Sequence, residues 1–222
     1  MMKKFKTLIV DDHPIIIDGY KNALENMDHG EFVTDISTAD SCFKAFNELK
    51  KSVESDPYDV IFLDLNLPPF DGANLESGED LGKLAKDLIP DVKIIILTMC
   101  TNNFKVHSIL KNLSPDGFLI KSDITSDELI TAFLTVINNA PFYSKSVAKF
   151  IRIHFTNDLN LDDVDRKILH LLSKGVRTKS LPSYIPLSLA AIEKRKRNLK
   201  NLFGVERTNG SLIESALKRG YI

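Results

Sequence analysis

Four short apolar runs in this chain end directly at polar side chains. The residues at these run ends are Asp11 and Asp12, Asp64, Thr98 and Lys121. A short apolar run with a sharp polar end is typical of a strand buried on both faces of a parallel sheet. Because open α/β sheets bind ligands beyond the carboxyl ends of their strands, we expect these five side chains to meet in one pocket.

Three carboxylates in one pocket would repel one another unless a cation lay between them. Magnesium prefers oxygen ligands and often combines carboxylates with phosphate oxygens, which makes Asp11 and Asp12 candidate ligands. Asp64 stands alone at the end of its run and is free to form an aspartyl phosphate. Lys121 and the ion would neutralise the phosphoryl oxygens, and Thr98 could donate its hydroxyl to one of them. Taken singly, each residue would more often be an ordinary solvent-facing side chain, so the prediction rests on the whole set.

This residue set resembles that of the bacterial response regulator receiver domain of the NarL/FixJ type. The similar segments are Ile9-Val10-Asp11-Asp12-His13-Pro14, Leu63-Asp64-Leu65-Asn66-Leu67-Pro68 and Gly117-Phe118-Leu119-Ile120-Lys121. The resemblance implies a phosphoaspartate at Asp64, direct Mg²⁺ ligation by Asp12 and Asp64, and contact from Asp11 through water. It also implies a metal ligand from the Asn66 backbone carbonyl. Thr98 and Phe118 would form a switch that moves inward on phosphorylation and alters the surface of the fourth and fifth helices.

The first 140 residues alternate strand and helix patterns, which predicts a doubly wound parallel sheet. The predicted strands lie near residues 7–12, 32–37, 60–65, 93–98 and 117–121. The predicted helices are Pro14–Asn26, Ala39–Ser52, Glu79–Ile89, Asn102–Asn112 and Thr125–Asn139, followed by a connecting helix at Ser144–His154. The fold class is therefore α/β, a flavodoxin-like five-stranded receiver domain, followed by a small all-α domain. The predicted boundaries are 1–140 for the receiver, 141–160 for the connecting helix and linker, and 161–222 for the last domain.

Two loops look long. One lies between Met27 and Glu31 or between Lys51 and Pro57, and the other is Pro68–Gly78. The second borders the predicted pocket. A surface insertion is the preferred interpretation, and control of kinase access or dephosphorylation is the alternative.

Length and composition favour a soluble, cytoplasmic protein. The chain has 222 residues, of which 43% are hydrophobic, so it can form a globular core. No apolar stretch approaches the ~18 residues of a membrane span, and the apolar stretch after the basic start is too short for a signal peptide. Cys42 and Cys100 lack the spacing of a disulfide framework, which indicates a reducing compartment. The five histidines show no metal-ligand spacing and are predicted to be ordinary surface or core residues.

Charge is distributed unevenly along the chain, although the net charge is only −1. From residue 157 onward lie 13 of the 29 Lys and Arg residues but only 7 of the 30 Asp and Glu residues. The later part therefore carries +6 and the earlier part −7. An acidic, cation-binding part joined to a basic part indicates a regulator with a nucleic-acid partner.

The basic part is predicted to form four short helices. They are Asp162–Lys174, Thr178–Ile185 (starting late, with Ser180 as cap, because of Pro182), a third from Ser188 as N-cap to Gly204, and Asn209–Arg219. The third helix has an apolar side with Ile192, Leu199 and Phe203. Its other side carries Ala190, Glu193, Lys194, Arg197, Lys200 and Asn201. Such a helix fits the DNA major groove, where these cations pair with phosphates or guanine and asparagine pairs with adenine. A solvated charged helix face is the alternative.

This module resembles the LuxR-type helix-turn-helix domain. The similar features are Leu161-Asp162-Asp163-Val164-Asp165-Arg166-Lys167-Ile168-Leu169, Gly175, Ser188, Ile192, Gly204-Val205 and Arg219-Gly220-Tyr221-Ile222. The predicted DNA contacts are Ser188, Glu193, Lys194, Arg197, Lys200 and Asn201. Pro182, Ala191 and Glu193 depart from the family pattern, and these departures put the usual operator sequence in doubt.

The sequence thus predicts a two-component response regulator. A histidine kinase would phosphorylate Asp64 with Mg²⁺, and phosphorylation would favour dimerisation and DNA binding to regulate transcription. Catalysis would be limited to transfer to, and hydrolysis from, its own aspartate. One alternative is a protein-binding output domain. The other is a phosphatase with an Asp64 nucleophile, although Asn66 stands where such enzymes often need a second carboxylate.

Overall fold

The computed structural model describes most of the chain. The described residues are 3–27, 30, 32–99, 102–156, 159, 161–205 and 209–222. They form two compact units, one of residues 1–100 and 109–147 and the other of residues 101–108 and 148–222. Cys100 lies outside the described residues. Within the described part of the chain, no helix is long and apolar enough to span a membrane.

The first unit contains a parallel sheet with the strand order β2-β1-β3-β4-β5-β6. The strands are β1 (Lys3–Val10), β2 (Phe32–Ala39), β3 (Val60–Asp64), β4 (Lys93–Thr98), β5 (Gly117–Ile120) and β6 (Phe142–Tyr143). The order turns back at β1, which confirms the doubly wound sheet, and each predicted strand overlaps an observed one. The sixth strand, β6, was not predicted. It has only two residues, which is too short for an alternating pattern to show in the sequence.

In the described part of the chain between residues 14 and 156, six α-helices alternate with or follow these strands. They are α1 (Pro14–Glu25), α2 (Cys42–Ser55), α3 (Gly78–Leu88), α4 (Asn103–Asn112), α5 (Ser126–Ile137) and α6 (Lys145–Thr156). Helix α2 begins at Cys42, later than predicted, because β2 continues to Ala39. The Ser41 side chain accepts a hydrogen bond from the Lys44 amide. Thr125 and Glu128 form a reciprocal capping box at the start of α5, which satisfies two amides that would otherwise lack partners.

The central strands are buried on both faces. All residues of β3 and β5 are buried, and one core cluster joins these strands to α1 and α5. In that cluster the rings of Phe62 and Phe133 are stacked with centroids 6.2 Å apart. Each fully buried large apolar side chain contributes about 1.5–3 kcal/mol relative to an exposed one. This packing fixes the strand ends where the polar residues lie.

The long loop of residues 68–78 has local structure. It contains a 3-10 turn at Asp71–Ala73 and a backbone pairing between Phe70 and Leu75. The ring of Phe70 packs against Phe43 and Phe46 of α2, with centroids 5.1 and 5.7 Å apart. The loop is therefore held against α2. Of the two predicted places for the other long loop, the one between Lys51 and Pro57 is mostly helical, because α2 continues to Ser55. The alternative place, between Met27 and Glu31, includes residues 28, 29 and 31, which lie outside the described residues.

The second unit has a separate apolar core. The helices that surround this core are α7 (Asp163–Ser173), a 3-10 helix (Thr178–Ser183), α8 (Leu189–Phe203) and α9 (Asn209–Lys218). The predicted helix near residues 178–185 is confirmed as a 3-10 helix. Its predicted late start with Ser180 as cap is wrong, because the helix begins at Thr178 and follows Arg177, which makes no side-chain cap bond. Pro182 lies inside the segment and has no amide to donate, which disfavours a regular α-helix. Helix α8 begins after Ser188 and ends at Gly204, as predicted.

Candidate functional site

Three aspartates meet at the carboxyl edge of the sheet. Asp11, Asp12, His13 and Asp64 each offer a ligand atom, and these atoms all lie within 4.8 Å of one another. The register of β1 and β3 pairs Val10 with Leu63, so the residues that follow are adjacent. Asp11 and Asp64 are 1% and 2% exposed, whereas the Asp12 side chain is 31% exposed. The predicted convergence of carboxylates is confirmed.

Lys121 lies between two of these carboxylates. Its Nζ is 2.5 Å from Asp11 Oδ2 and 2.6 Å from Asp64 Oδ2, and its side chain is 5% exposed. Burial lowers the pKa of Lys121, but the hydrogen bonds and charges of the two carboxylates outweigh burial and leave the pKa raised. The ammonium form is therefore retained. One cation among three carboxylates leaves an excess of negative charge, which suits a divalent ion with oxygen ligands.

Local backbone amides orient two of the carboxylates. Asp64 Oδ1 accepts a hydrogen bond of 3.1 Å from the Asn66 amide, and Asp11 Oδ1 accepts one of 3.1 Å from the His13 amide. Both bonds span two residues, as in an Asx-turn. In each aspartate the second oxygen contacts Lys121, so the carboxylate planes are fixed before any ligand arrives.

His13 is a surface residue, as predicted, but it also contacts two of the aspartates. Its Nδ1 lies 2.6 Å from Asp12 Oδ1 and 3.1 Å from Asp11 Oδ1, although the side chain is 61% exposed. Sequence reasoning missed it because a search for metal-ligand spacing compares residues several positions apart. Here the partners are the two preceding residues in the same turn.

Tyr20 of α1 is a second residue that the sequence did not indicate. Burial, followed by the negative charges of Asp11 and Asp64, raises the pKa of its hydroxyl to about 12. The phenol therefore stays neutral near the acidic pocket. No motif links it to the site, because its position depends on how α1 packs on the sheet.

Thr98 and Phe118 are both fully buried. Thr98 ends β4 beside Ile120 of β5, and Phe118 lies opposite Ile96 in the same strand pair. Lys121 directly follows β5 and begins a 3-10 turn, Lys121–Asp123. The predicted switch residues thus lie on neighbouring strands that lead to the pocket, and their inward movement stays a prediction.

Gly78 brings the end of the long loop against Asp64. Its amide donates a hydrogen bond of 3.1 Å to the Leu65 carbonyl. A Cβ at this position would lie 1.9 Å from the Asp64 carbonyl oxygen, which no side chain tolerates without a backbone shift. The first turn of α3 therefore depends on glycine to approach the predicted phosphoacceptor.

In the second unit, α8 separates its two faces as predicted. Ile192, Leu199 and Phe203 are buried. The exposed residues are Ser188, Ala190, Glu193, Lys194, Arg197 and Asn201, and Lys200 is half-buried. The Ser188 hydroxyl also accepts a hydrogen bond of 3.3 Å from the Ala191 amide, so it caps the helix.

Arg195 and Lys196 of α8 contact neighbouring elements of this unit. Arg195 Nη1 lies 2.6 Å from Asp162 Oδ2 and 2.9 Å from Asp165 Oδ1. Lys196 Nζ donates to the Thr178 hydroxyl over 2.8 Å. These contacts tie α8 to the start of α7 and to the 3-10 helix. The outward positive charge of the helix therefore comes from Lys194 and Arg197, with Lys200 at the margin.

The chain is similar over nearly its whole length to several known proteins. The chain is 26% identical over 222 residues to the transcriptional regulatory protein MctR of Rhizobium johnstonii, covering 99% of this chain and 96% of the relative. It is 26% identical over 227 residues to the oxygen regulatory protein NreC of Staphylococcus epidermidis, with 96% and 97% covered. A solved structure of RcsB from Salmonella enterica serovar Typhimurium, bound to promoter P1flhDC with the phosphomimetic BeF3-, has a similar fold. The TM-score is 0.64 at 23% identity, with 95% of this chain and 97% of that chain covered.

A family model matches the part of the chain that contains the acidic pocket. The model of the response regulator receiver domain matches residues 7–134, which is more than half of the 222 residues. The match includes the three aspartates, Thr98 and Lys121. The chain therefore belongs to the response regulator receiver domain family.

Proposed function

We propose that this protein is a two-component response regulator whose phosphorylation at Asp64 controls DNA binding by its last 62 residues. The observation that carries the proposal is the buried contact of Lys121 with Asp11 and Asp64. MctR is named a transcriptional regulatory protein, and RcsB has been solved on a promoter with a phosphomimetic. Both names support a regulatory output.

Asp11, Asp12 and Asp64 would hold Mg²⁺ together with the Asn66 backbone carbonyl. The fit rests on the donor set, because three carboxylates converge and Lys121 neutralises only one of their charges. When bound, the ion supplies positive charge that offsets the charge of phosphoryl oxygens. His13 stands at the exposed side of this cluster, with Nδ1 2.6 Å from Asp12 Oδ1.

In the transfer step, an Asp64 carboxylate oxygen attacks phosphorus. The new O–P bond forms as the P–N bond to the kinase histidine breaks, and the histidine nitrogen leaves with the bond electrons. The Lys121 ammonium, 2.6 Å from Asp64 Oδ2, is positioned to donate to a phosphoryl oxygen. Hydrolysis later returns the phosphoryl group to water. We propose no other catalytic activity for this protein.

Phosphorylation adds roughly −1.5 to −2 charges and three acceptor oxygens beside Thr98. The Thr98 hydroxyl would donate to one of these oxygens, and Phe118 on the neighbouring strand would follow. We propose that the resulting surface change at α4 and α5 favours a homodimer, which binds double-stranded DNA through the outward face of α8. A few hydrogen bonds produce a partial shift, since ~5.5 kcal/mol is needed to move an equilibrium from 1:99 to 99:1. A cytoplasmic location stays a prediction from the cysteine pattern.

The phosphoacceptor can be tested directly. With Mg²⁺ and a small phosphodonor, mass spectrometry should find one acid- and base-labile phosphoryl group on Asp64 and none on the Asp64→Asn variant. An adduct at another residue would overturn the assignment. Asp12→Ala should weaken both Mg²⁺ affinity and phosphorylation.

Two measurements separate the alternatives. Retention on DNA should fall steeply with salt, because phosphate contacts release counterions, whereas retention without DNA and with a protein partner would favour a protein-binding output. Multiple turnover of a generic phosphate ester would favour the phosphatase alternative. We expect none, because Asn66 offers no carboxylate for proton transfer.

A further inference from the structure

Three residues of different chemistry form one outward row on α8. Ala190, Glu193 and Arg197 are spaced three and four residues apart, so they are neighbours along one side of the helix. All three are exposed. Within the described part of the chain, the side chains of Glu193 and Arg197 make no hydrogen bond or ion pair. The row presents, in order, an apolar, an anionic and a cationic side chain.

The rotation of α8 about its axis is fixed from the opposite side. Ile192, Leu199 and Phe203 are buried in the core of this unit. Arg195 is held by Asp162 and Asp165 at the start of α7. Because both sets of contacts lock the helix, the outward row is a preformed surface.

An acidic residue on this row is informative about the ligand. A carboxylate can only accept hydrogen bonds, and it is repelled by DNA phosphates. In the major groove it finds a donor on the cytosine N4 amino group. Glu193 therefore costs affinity on most sequences and gains it where that amino group is present.

Its two neighbours have equally distinct partners. Arginine forms a bidentate pair with guanine O6 and N7, and a small apolar side chain contacts the thymine methyl group. The helix rises ~1.5 Å per residue, so Ala190 and Arg197 are ~10 Å apart along the axis. That distance corresponds to about three steps of ~3.4 Å between base pairs.

We propose that Ala190, Glu193 and Arg197 read a thymine, a cytosine and a guanine, in this order, within four consecutive base pairs of each half-site. The inference rests on the proposed function, because it assumes that α8 enters the major groove. It deepens that function by naming the base sequence class that the helix selects. Glu193 contributes most to this selection, because its carboxylate can pair only with a base that offers an amino group, as cytosine does at N4.

The experiment is selection of bound duplexes from a randomised DNA pool by the full-length protein, treated with a small phosphodonor. Wild type should enrich a site with a C·G pair between a T·A and a G·C pair. Glu193→Gln keeps the side-chain shape but exchanges an acceptor for an amide, which pairs with adenine N6 and N7. Its selected site should therefore change from cytosine to adenine at that single position.

Matched variants separate base reading from charge. Glu214→Gln removes the same charge from the exposed surface of α9 and should leave the selected site unchanged. Arg197→Ala should reduce discrimination for guanine about 5- to 150-fold, with the other positions intact. Circular dichroism of each variant verifies that the second unit remains helical.

The outcomes distinguish the two levels of the proposal. If wild type enriches no DNA, the proposed function fails, and this inference fails with it. If wild type enriches a site but Glu193→Gln retains its cytosine and binds all DNA more tightly, the base reading is wrong and DNA binding stands.

Discussion

The Ser144 hydroxyl donates a hydrogen bond of 3.1 Å to the Asp123 carboxylate. The same hydroxyl accepts from the Ile120 amide at the end of β5, and Asp123 also accepts from the Ser146 amide at 2.8 Å. Asp123 lies two residues after Lys121. The turn that carries the pocket lysine is therefore tied to the start of α6.

Asp123 should make stability depend on pH. Burial raises its pKa, but hydrogen bonds from Ser146 and Ser144, with the charge of Lys145, outweigh burial and lower the pKa. A lowered folded-state pKa contributes stability that is present above the ordinary value of ~3.9 and is lost as pH falls through the folded-state pKa.

The variant Asp123→Asn should therefore cost about 1 kcal/mol of unfolding free energy at pH 7, and the difference from wild type should shrink near pH 3. Urea unfolding at both pH values measures this. Asp91→Asn, at an exposed position without these contacts, is the control. A cost that is the same at both pH values would contradict the role of the charge.

Removing the pocket cation should destabilise the first unit. Lys121→Met leaves Asp11 and Asp64 buried without their shared cation, and breaking a buried ion pair typically costs about 3–5 kcal/mol. Added Mg²⁺ should restore part of that stability, because the ion replaces the missing charge. Thermal unfolding with and without MgCl₂ measures the effect. Lys83→Met, which removes the surface ion pairs of Lys83 with Glu79 and Asp80 on α3, should show neither change.

The sequence predicted the residues that strands position. Each of these residues stands at the end of a run of buried apolar residues, namely Asp11, Asp64, Thr98 and Lys121. The length of such an apolar run can be read from the sequence, so the position of its polar end is predictable. The order of parallel strands then brings the four residues together. The same reasoning placed Ile192, Leu199 and Phe203 inside the C-terminal unit, because helical periodicity depends only on spacing.

Residues that depend on packing between elements were missed. Tyr20 lies near the charges of Asp11 and Asp64 only because α1 packs on the sheet. Arg195 meets Asp165 only because α8 packs against α7. Local competition also escaped prediction. The sequence predicted a helix near residues 178–185 but not its 3-10 form, because one missing amide at Pro182 decides between two similar hydrogen-bond patterns.

Thr98→Ala should separate phosphorylation from response. Asp64 should still gain its phosphoryl group, because Thr98 is not among the predicted metal ligands. The gain in DNA affinity on phosphorylation should be reduced, because no hydroxyl is left to donate to the phosphoryl oxygen. Thr98→Ser keeps the hydroxyl and should retain most of the gain. DNA titrations of the three proteins, with and without phosphodonor, would contradict the switch if all gained equally.

Gly78→Ala should impair the pocket through the backbone. The new Cβ would lie 1.9 Å from the Asp64 carbonyl oxygen, so either α3 or the end of β3 must move. We expect a loss of at least ~1–3 kcal/mol of unfolding free energy, as for overpacking in a core, together with slower phosphorylation of Asp64. Gly19→Ala is the matched control, because nothing lies within 4 Å of its Cβ. Inside α1 this change should instead stabilise by roughly 0.5–1 kcal/mol. If both variants were phosphorylated at the wild-type rate, the approach of α3 to Asp64 would not matter for the chemistry.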